Sequence, residues 1–179
     1  MNLQFKSAME RLKSQIRDVP DFPKPGIVFR DITPVLGNAQ LFRLAVNVCA
    51  ERYQRKHIDK IAAIDARGFL FAGALAHVLG VGLVPIRKKG KLPSKAFSAS
   101  YNLEYGENVL EIHEDAFKPG ERIVIFDDIL ATGGTAAAAI DLVKKLQGDI
   151  FEVAFLLELS ELKGRSKLAP HTIFSAIQY

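Results

Sequence analysis

Residues 122–146 constrain this chain more than any other stretch. Ile123-Val124-Ile125-Phe126 is a continuous apolar run with no polar residue at alternate positions. Such a run reads as a strand buried on both faces. Asp127 and Asp128 are expected to end it, Ile129 and Leu130 act as spacers, and Ala131-Thr132-Gly133-Gly134 is a turn of small residues. Thr135 to Leu146 then reads as an alanine-rich helix stopped at Gly148. A strand covered on both faces belongs in a parallel sheet with helices on each side.

The same alternation recurs along the chain. Lys60 to Asp65 and Val81 to Arg87 are short apolar strands, and between them Gly68 to Leu79 is an apolar helix closed by Gly80. Further strands are expected at Val109–His113, Ile150–Leu159 and Thr172–Ile177, and further helices at 6–18 and 39–55. Pro20, Pro23, Pro25 and Gly26 break regular structure before the apolar patch Ile27-Val28-Phe29, and residues 88–107 are polar and expected to be mobile. This predicts an α/β fold with a central, mostly parallel sheet flanked by helices. Ligands of such sheets sit at the carboxyl ends of strands, here Asp65–Gly68, Arg87–Lys91 and Asp127–Thr135.

Bulk properties narrow the class. The 179 residues fit one domain or one with a small appendage, and no apolar stretch reaches the length of a membrane span. The N-terminus mixes charge with apolar residues and lacks the pattern of a secretory signal. Cys49 is the single cysteine, so no internal disulfide can form, which suits the cytoplasm. The net charge of +4 admits an anionic partner. No helix carries a basic stripe, so neither nucleic acid nor a membrane is expected as a partner.

The three strand ends have distinct chemistry. A loop of small residues lets backbone N–H groups close on an anion, and the helix N-terminus behind it adds a favourable dipole. Thr132 and Thr135 can donate hydroxyl hydrogen bonds to phosphate oxygens. No lysine occurs in the loop, so it is not a P-loop of the Walker type. Asp127 and Asp128 would repel a phosphate but accept hydrogen bonds from vicinal hydroxyls, as acidic residues do with ribose elsewhere. Acceptors followed by a phosphate cradle spell a ribose 5-phosphate; an Asp-Asp pair alone reads equally well as a solvated strand-end turn. Arg67 opens a helix and could present a forked donor to a multiply charged anion, or form an ordinary surface ion pair. Arg87, Lys88 and Lys91 are a second basic element, or a solvated basic loop. His57, His77, His113 and His171 are scattered and form no metal-ligand pattern.

The segment from Ile123 to Thr135 is similar to the signature of the type I phosphoribosyltransferases, which bind phosphoribosyl pyrophosphate (PRPP). Phe22 to Pro34, Arg67 to Phe71, Lys89 to Pro93, Tyr101 to Gly106, Lys163-Gly164 and Leu168 to Pro170 resemble adenine phosphoribosyltransferases. The resemblance implies that family's fold, with residues 1–35 as a small base-binding hood and 36–179 as the core. It implies transfer of phosphoribose from PRPP to adenine, giving AMP and diphosphate in purine salvage. Asp127 and Asp128 would then hold the ribose, and Ala131, Thr132, Gly133, Gly134 and Thr135 the 5-phosphate. Asp65, Ala66, Arg67, Arg87, Lys88 and Lys91 would hold pyrophosphate, through a turn that in the family often contains a non-proline cis peptide. Family members often carry Glu where Asp65 stands. Val28, Phe29 and Arg30 would bind adenine, Phe29 by stacking, though a loop-flanked aromatic is also commonly core. Glu104 and Tyr105 would lie on a lid over 94–107, with Glu104 sharing a proton with the base. Mg²⁺ would arrive on PRPP near Asp127 and Asp128 rather than in a protein cage. A homodimer is implied, with Arg87 reaching the partner's site. Enzymes for other bases and a nucleic-acid-binding PRPP sensor share parts of this pattern; the Phe22–Ile27 segment speaks against the first, the lack of a basic stripe against the second.

Overall fold

The computed structural model describes the backbone of residues 3–103 and 106–179 and the side chains of 5–101 and 108–179. In chain order the elements are α1 (Leu3–Lys13), β1 (Arg17–Pro20), β2 (Val28–Asp31), α2 (Thr33–Leu36), α3 (Ala39–Tyr53), β3 (Lys60–Ile64), α4 (Arg67–Leu79), β4 (Gly82–Lys88), β5 (Ala96–Leu103), β6 (Gly106–His113), β7 (Arg122–Leu130), α5 (Gly134–Lys145), β8 (Asp149–Glu158) and β9 (Ile173–Gln178). Two 3₁₀ turns, Ser160–Leu162 and Gly164–Leu168, connect β8 to β9.

The side-chain period of two along each strand sorts residues between two cores. Ile123 and Ile125 of β7 join Ala139, Leu142 and Val143 of α5 in one cluster. Val124 and Phe126 join Phe71 and Leu75 of α4 and Ala45 and Val48 of α3 in the other. β7 is therefore covered on both faces, as its unbroken apolar run requires. Local signals set the helix ends: Asn38 Oδ1 accepts the N–H groups of Gln40 and Leu41 at 3.0 and 3.1 Å to start α3, and Gly80 ends α4 at φ 68°.

A seven-stranded sheet runs in the order β5-β6-β4-β3-β7-β8-β9, and β1 with β2 forms a separate two-stranded sheet. The five strands from β4 to β9 pair in parallel, and β5 and β6 extend the β4 edge as an antiparallel hairpin. From β3 the chain moves outward to β4, then returns to lay β7 on the other side of β3. The strand order therefore reverses between β3 and β7. A crevice opens at the carboxyl ends of two strands whose following connections diverge this way. That crevice receives Asp65-Ala66-Arg67 from β3 and the glycine loop from β7.

Three local expectations differ from the structure. The N-terminal helix stops at Lys13, where the Ser14 hydroxyl turns back to Arg11 O at 2.9 Å, and Arg17–Pro20 is a strand. The aspartates do not end β7; pairing with β8 carries it to Leu130. Much of 88–107 is β5, paired residue for residue with β6 from Ala96↔His113 to Leu103↔Gly106. Ala99 is buried between exposed Ser98 and Ser100, and Tyr101 is half-buried, so only a faint alternation marks this strand. The side chain of Lys145 in α5 ties it down by donating to Ser98 O at 2.7 Å.

Candidate active site

The crevice holds a cavity of about 370 Å³. β7 delivers Asp127 and Asp128 to its floor, and Ala131–Gly133 curls over to start α5. Gly133, with φ 81°, stands at the N-cap of α5, which has no side-chain cap. The first amides of α5 are thus left for whatever occupies the cavity. Thr132 and Thr135 line the same wall. Sequence reasoning gave no role to Gly164, whose backbone backs the loop: a Cβ on Gly133 would stand 2.5 Å from Gly164 O. A glycine at the start of a 3₁₀ turn carries no signal of such a contact until the loops are brought together.

The acidic pair is nearly enclosed, with Asp127 9% and Asp128 5% exposed. Asp127 Oδ1 accepts the N–H of Asp128 at 2.8 Å, and Arg67 Nε donates to Asp128 Oδ2. Burial, then the neighbouring charge of Asp128, pushes the Asp127 carboxyl well above its ordinary range. Gly68 makes this proximity possible: a Cβ there would lie 3.0 Å from Asp127 Oδ1 and 3.2 Å from Phe126 O.

On the opposite wall, the Asp65–Ala66 peptide is cis, as are Phe22–Pro23 and Ala169–Pro170. Asp65 Oδ2 meets Arg87 Nε at 3.3 Å, and Arg87 Nη1 donates to Lys91 O at 3.2 Å. Lys88 lines the cavity with Asp65, Ala66 and Arg67. Arg87 and Lys91 do not line it; they stand behind Asp65, with Arg87 6.0 Å from the Phe69 ring centre. Gly90, at φ 77°, turns the chain between Lys88 and Lys91, and its N–H donates to Glu111 Oε2 at 2.8 Å.

The N-terminal segment approaches the cavity wall at Arg67 without lining the cavity itself. The half-buried Phe29 ring lies 5.6 Å from the Arg67 guanidinium and meets Phe22 edge-on at 5.3 Å. Phe29 is therefore not core. Val28 is 44% exposed. The Arg30 side chain is engaged elsewhere, paired with Asp18 and 4.2 Å from the Tyr179 ring centre. Asp31 is held below its usual carboxyl range, chiefly by the N–H of Thr33. Glu104 and Tyr105 lie outside the described residues. Tyr101 of β5 lines the cavity together with Phe155 and Ile129, contacts that become visible only once the hairpin and sheet are assembled.

A strand pair, a neutral phosphate-type loop and a cationic turn at one switch point suggest comparison with known proteins. Residues 36–177 match the phosphoribosyl transferase domain family. A protein of Methylacidiphilum infernorum (isolate V4) named adenine phosphoribosyltransferase is 58% identical over 179 residues, covering 100% of both chains. The chain belongs to the adenine phosphoribosyltransferase family. The crystal structure of the adenine phosphoribosyltransferase from Thermoanaerobacter pseudethanolicus superposes with a TM-score of 0.92 at 50% identity, covering 96% of this chain and 99% of that one. The adenine phosphoribosyltransferase of Saccharomyces cerevisiae, crystallised with an imino-altritol bisphosphate and adenine, gives 0.91 at 42% identity, covering 96% and 99%. As an adenine phosphoribosyltransferase the chain has a telling division. The general transferase family matches residues 36–177, whereas the named relative aligns over the whole chain, residues 1–35 included.

Proposed function

We propose that this adenine phosphoribosyltransferase joins N9 of adenine to C1 of the phosphoribosyl group of PRPP, releasing diphosphate and forming AMP. One observation carries the reading: at the switch point between β3 and β7, an acidic pair lies between a neutral anion loop and the Arg67 turn. That order matches the order of groups along PRPP: 5-phosphate, ribose hydroxyls, diphosphate.

In this reading Ala131, Thr132, Gly133, Gly134 and Thr135 hold the 5-phosphate through backbone N–H groups and hydroxyls. Asp127 and Asp128 accept the ribose hydroxyls. Asp65, Ala66, Arg67 and Lys88 surround the diphosphate, with Arg87 and Lys91 adding positive charge from behind Asp65; the diphosphate leaves with the electron pair of the breaking C1–O bond. Positioning and charge stabilisation supply the catalysis, since the protein forms no covalent bond. Arg67 is placed to exchange partners: diphosphate competes for its guanidinium and frees Asp128 for ribose. The proton on the base is shared with Glu104 as N9 attacks. A Glu104→Gln variant with wild-type turnover and pH profile would remove that role.

Mg²⁺ fits this donor set as an ion carried by substrate. Asp127 and Asp128 offer hard oxygen donors, yet among the described residues no cluster of three or more His, Cys, Asp or Glu could hold a metal. When bound, the ion neutralises charge on diphosphate.

Residues 1–35 form the base-binding hood. Phe29 stacks on adenine, and backbone groups of Val28 and Arg30 read its edge; β2 has a single partner strand, so half its backbone groups point away from β1. The match of 1–35 to named adenine enzymes, outside the general family match, supports this assignment. The β5–β6 hairpin, whose strands Glu104 and Tyr105 separate in the sequence, covers the site and keeps water from PRPP. We infer a homodimer, supported by the exposed Leu70, Val78 and Leu83 on α4 and β4, with Arg87, on the same strand as Leu83, serving a partner's site. We place the enzyme in the cytoplasm, consistent with one buried free cysteine; no helix of the described residues is long and apolar enough to cross a membrane. Incubation with Mg-PRPP and each labelled purine or pyrimidine base in turn tests the reading. AMP formation with adenine is expected, and no product with adenine would overturn it.

A further inference from the structure

The rear of the phosphate loop is fixed by residues that do not line the cavity. Leu130 O accepts the N–H of Leu159 at 2.9 Å, so β7 and β8 stay joined up to the first loop residue. The chain then doubles back through two 3₁₀ turns, and Lys163, at φ 52° between them, brings Gly164 against the loop. Backbone meets backbone there. A Cβ on Gly164 would lie 2.1 Å from Ala131 O and 3.0 Å from Gly133 N. No flexible side-chain end separates Gly164 from those two backbone atoms, so no rotamer change can make room.

The next residue locks this segment to the sheet. Arg165 Nε and Nη2 donate to Glu158 Oε1 and Oε2 at 3.0 and 2.6 Å, and Nη1 donates to Ile173 O at 3.0 Å. Its Nη2 also reaches Ser175 Oγ at 3.4 Å. One guanidinium thus spans the end of β8 and the start of β9, using the forked geometry that lysine lacks. The Arg165 hydrogen bonds hold the buried Glu158 carboxyl below its usual range. Leu168 closes the segment in the same core cluster as Leu130 and Ala136.

We propose that Gly164 and Arg165 form a brace that sets the position of residues 131–134, and with it the affinity for the 5-phosphate end of the substrate. Gly164 is a backbone stop and Arg165 a positioning residue. The inference rests on the proposed assignment of the loop to the 5-phosphate. Converging amides must be held within about 0.5 Å of the productive geometry, so a shift of the loop's back wall reaches the ligand directly. Among the described residues, neither Gly164 nor Arg165 hydrogen-bonds to Asp127, Asp128 or Arg67. Loosening the brace should therefore act on one end of the cleft and spare the other.

The test compares Gly164→Ala, Arg165→Met and Arg165→Lys with wild type. Steady-state kinetics give KM for PRPP, KM for adenine and kcat, and calorimetry gives Kd for ribose 5-phosphate and for inorganic diphosphate. Gly164→Ala is expected to raise KM for PRPP and Kd for ribose 5-phosphate about tenfold, with adenine KM and diphosphate Kd within about twofold. Arg165→Met should raise the same two constants about threefold, and Arg165→Lys should recover part of that loss. Unchanged constants for PRPP and ribose 5-phosphate in folded variants would overturn the brace. So would an equal rise for diphosphate and adenine, which marks general loosening. If Gly164→Ala does not fold, the two Arg165 variants decide by the same criteria. Wild type that binds ribose 5-phosphate yet makes no AMP would sink the proposed reaction while leaving the brace measurable.

Discussion

The two ends of the cleft are built from different materials. The end assigned to the 5-phosphate is backbone: a loop seated on Gly164, a helix N-terminus and a strand buried on both faces. The end assigned to diphosphate and base is side chain: Arg67 on Asp128, Arg87 on Asp65, and Phe29 facing Arg67 from the hood. Backbone held by glycine contacts has one position. Long cations paired with carboxylates have partners to exchange. A rigid grip on the group that stays with the sugar, beside an adjustable grip on the group that leaves, suits a transfer in which only one end changes its ligand.

The largest test of this contrast is on the adjustable side. Arg67→Ala removes a charged donor aimed at developing negative charge and leaves Asp128 buried without its partner. We expect kcat to fall about 10²–10³-fold. Arg67→Lys should recover only part, because a point charge cannot replace the fork. Equal losses for both variants would mean the fork matters as much as the charge; no loss in either would break the assignment. On the rigid side, Gly133→Ala meets both a left-handed φ of 81° and a contact of 2.5 Å to Gly164 O. Here kcat/KM for PRPP should drop about 100-fold, with a lower melting temperature, because the loop itself must move. The two ends are distinguished by which constant moves: Arg67→Ala should act on kcat, with a lower melting temperature because Asp128 loses its partner, whereas Gly133→Ala should act on kcat/KM for PRPP.

How much of this the sequence disclosed follows the same division. The rigid end is coded locally. An apolar strand, two acids and a glycine loop are contiguous, so Ile123 to Thr135 announces both the buried strand and the anion loop. The parallel sheet follows from the same periodicity. Lys163-Gly164 is part of the resemblance, but its contact with the loop was not legible, because Gly164 and Arg165 are far along the chain and act through packing rather than a motif. Nor was β5, where serines and alanines give little hydrophobic contrast and the register comes from β6 and from Lys145. At the adjustable end, the residue types were legible but not their pairings. Nothing in Arg67-Gly68 or Arg87-Lys88 says which carboxylate each arginine will find, or that Arg30 will turn away to Asp18 and Tyr179.

A smaller effect is expected in the hood. Phe29→Ala removes a ring whose stacking on a base is worth about 1–3 kcal/mol. KM for adenine should rise about tenfold while KM for PRPP stays within about twofold. Phe29→Tyr should bind adenine nearly as well as wild type. A matched rise in both KM values would show that the ring acts through Arg67, 5.6 Å away, instead of through the base. The hood would then belong to the adjustable end in an electrostatic sense, and adenine recognition would have to lie elsewhere.

The smallest expected effect joins the two ends through their carboxylates. Asp127 and Glu158 are both buried, but their surroundings push them in opposite directions. Burial, and then the charge of Asp128, raises the Asp127 carboxyl above 3.8, so the folded state binds its proton more tightly than the unfolded chain does. Its effect on stability is most favourable below 3.8 and is lost as pH rises through the folded value. Glu158 is lowered from 4.5 by the Arg165 hydrogen bonds, so its contribution is present above 4.5 and is lost as pH falls through the folded value. Asp127→Asn keeps an oxygen for the N–H of Asp128 and removes the repulsion. At about pH 7 it should melt a few degrees higher, roughly 1 kcal/mol more stable, with the gain shrinking toward about pH 4. Its activity should fall, because an amide accepts ribose hydroxyls more weakly than a carboxylate. Glu158→Gln should do the reverse, losing stability near neutral pH and least in acid, with only the modest rise in PRPP KM that a loosened brace predicts. Thermal melts of both variants across pH check the pair. If Asp127→Asn is no more stable than wild type at neutral pH, Arg67 already compensates both aspartates, and the acidic pair belongs to the adjustable end of the cleft.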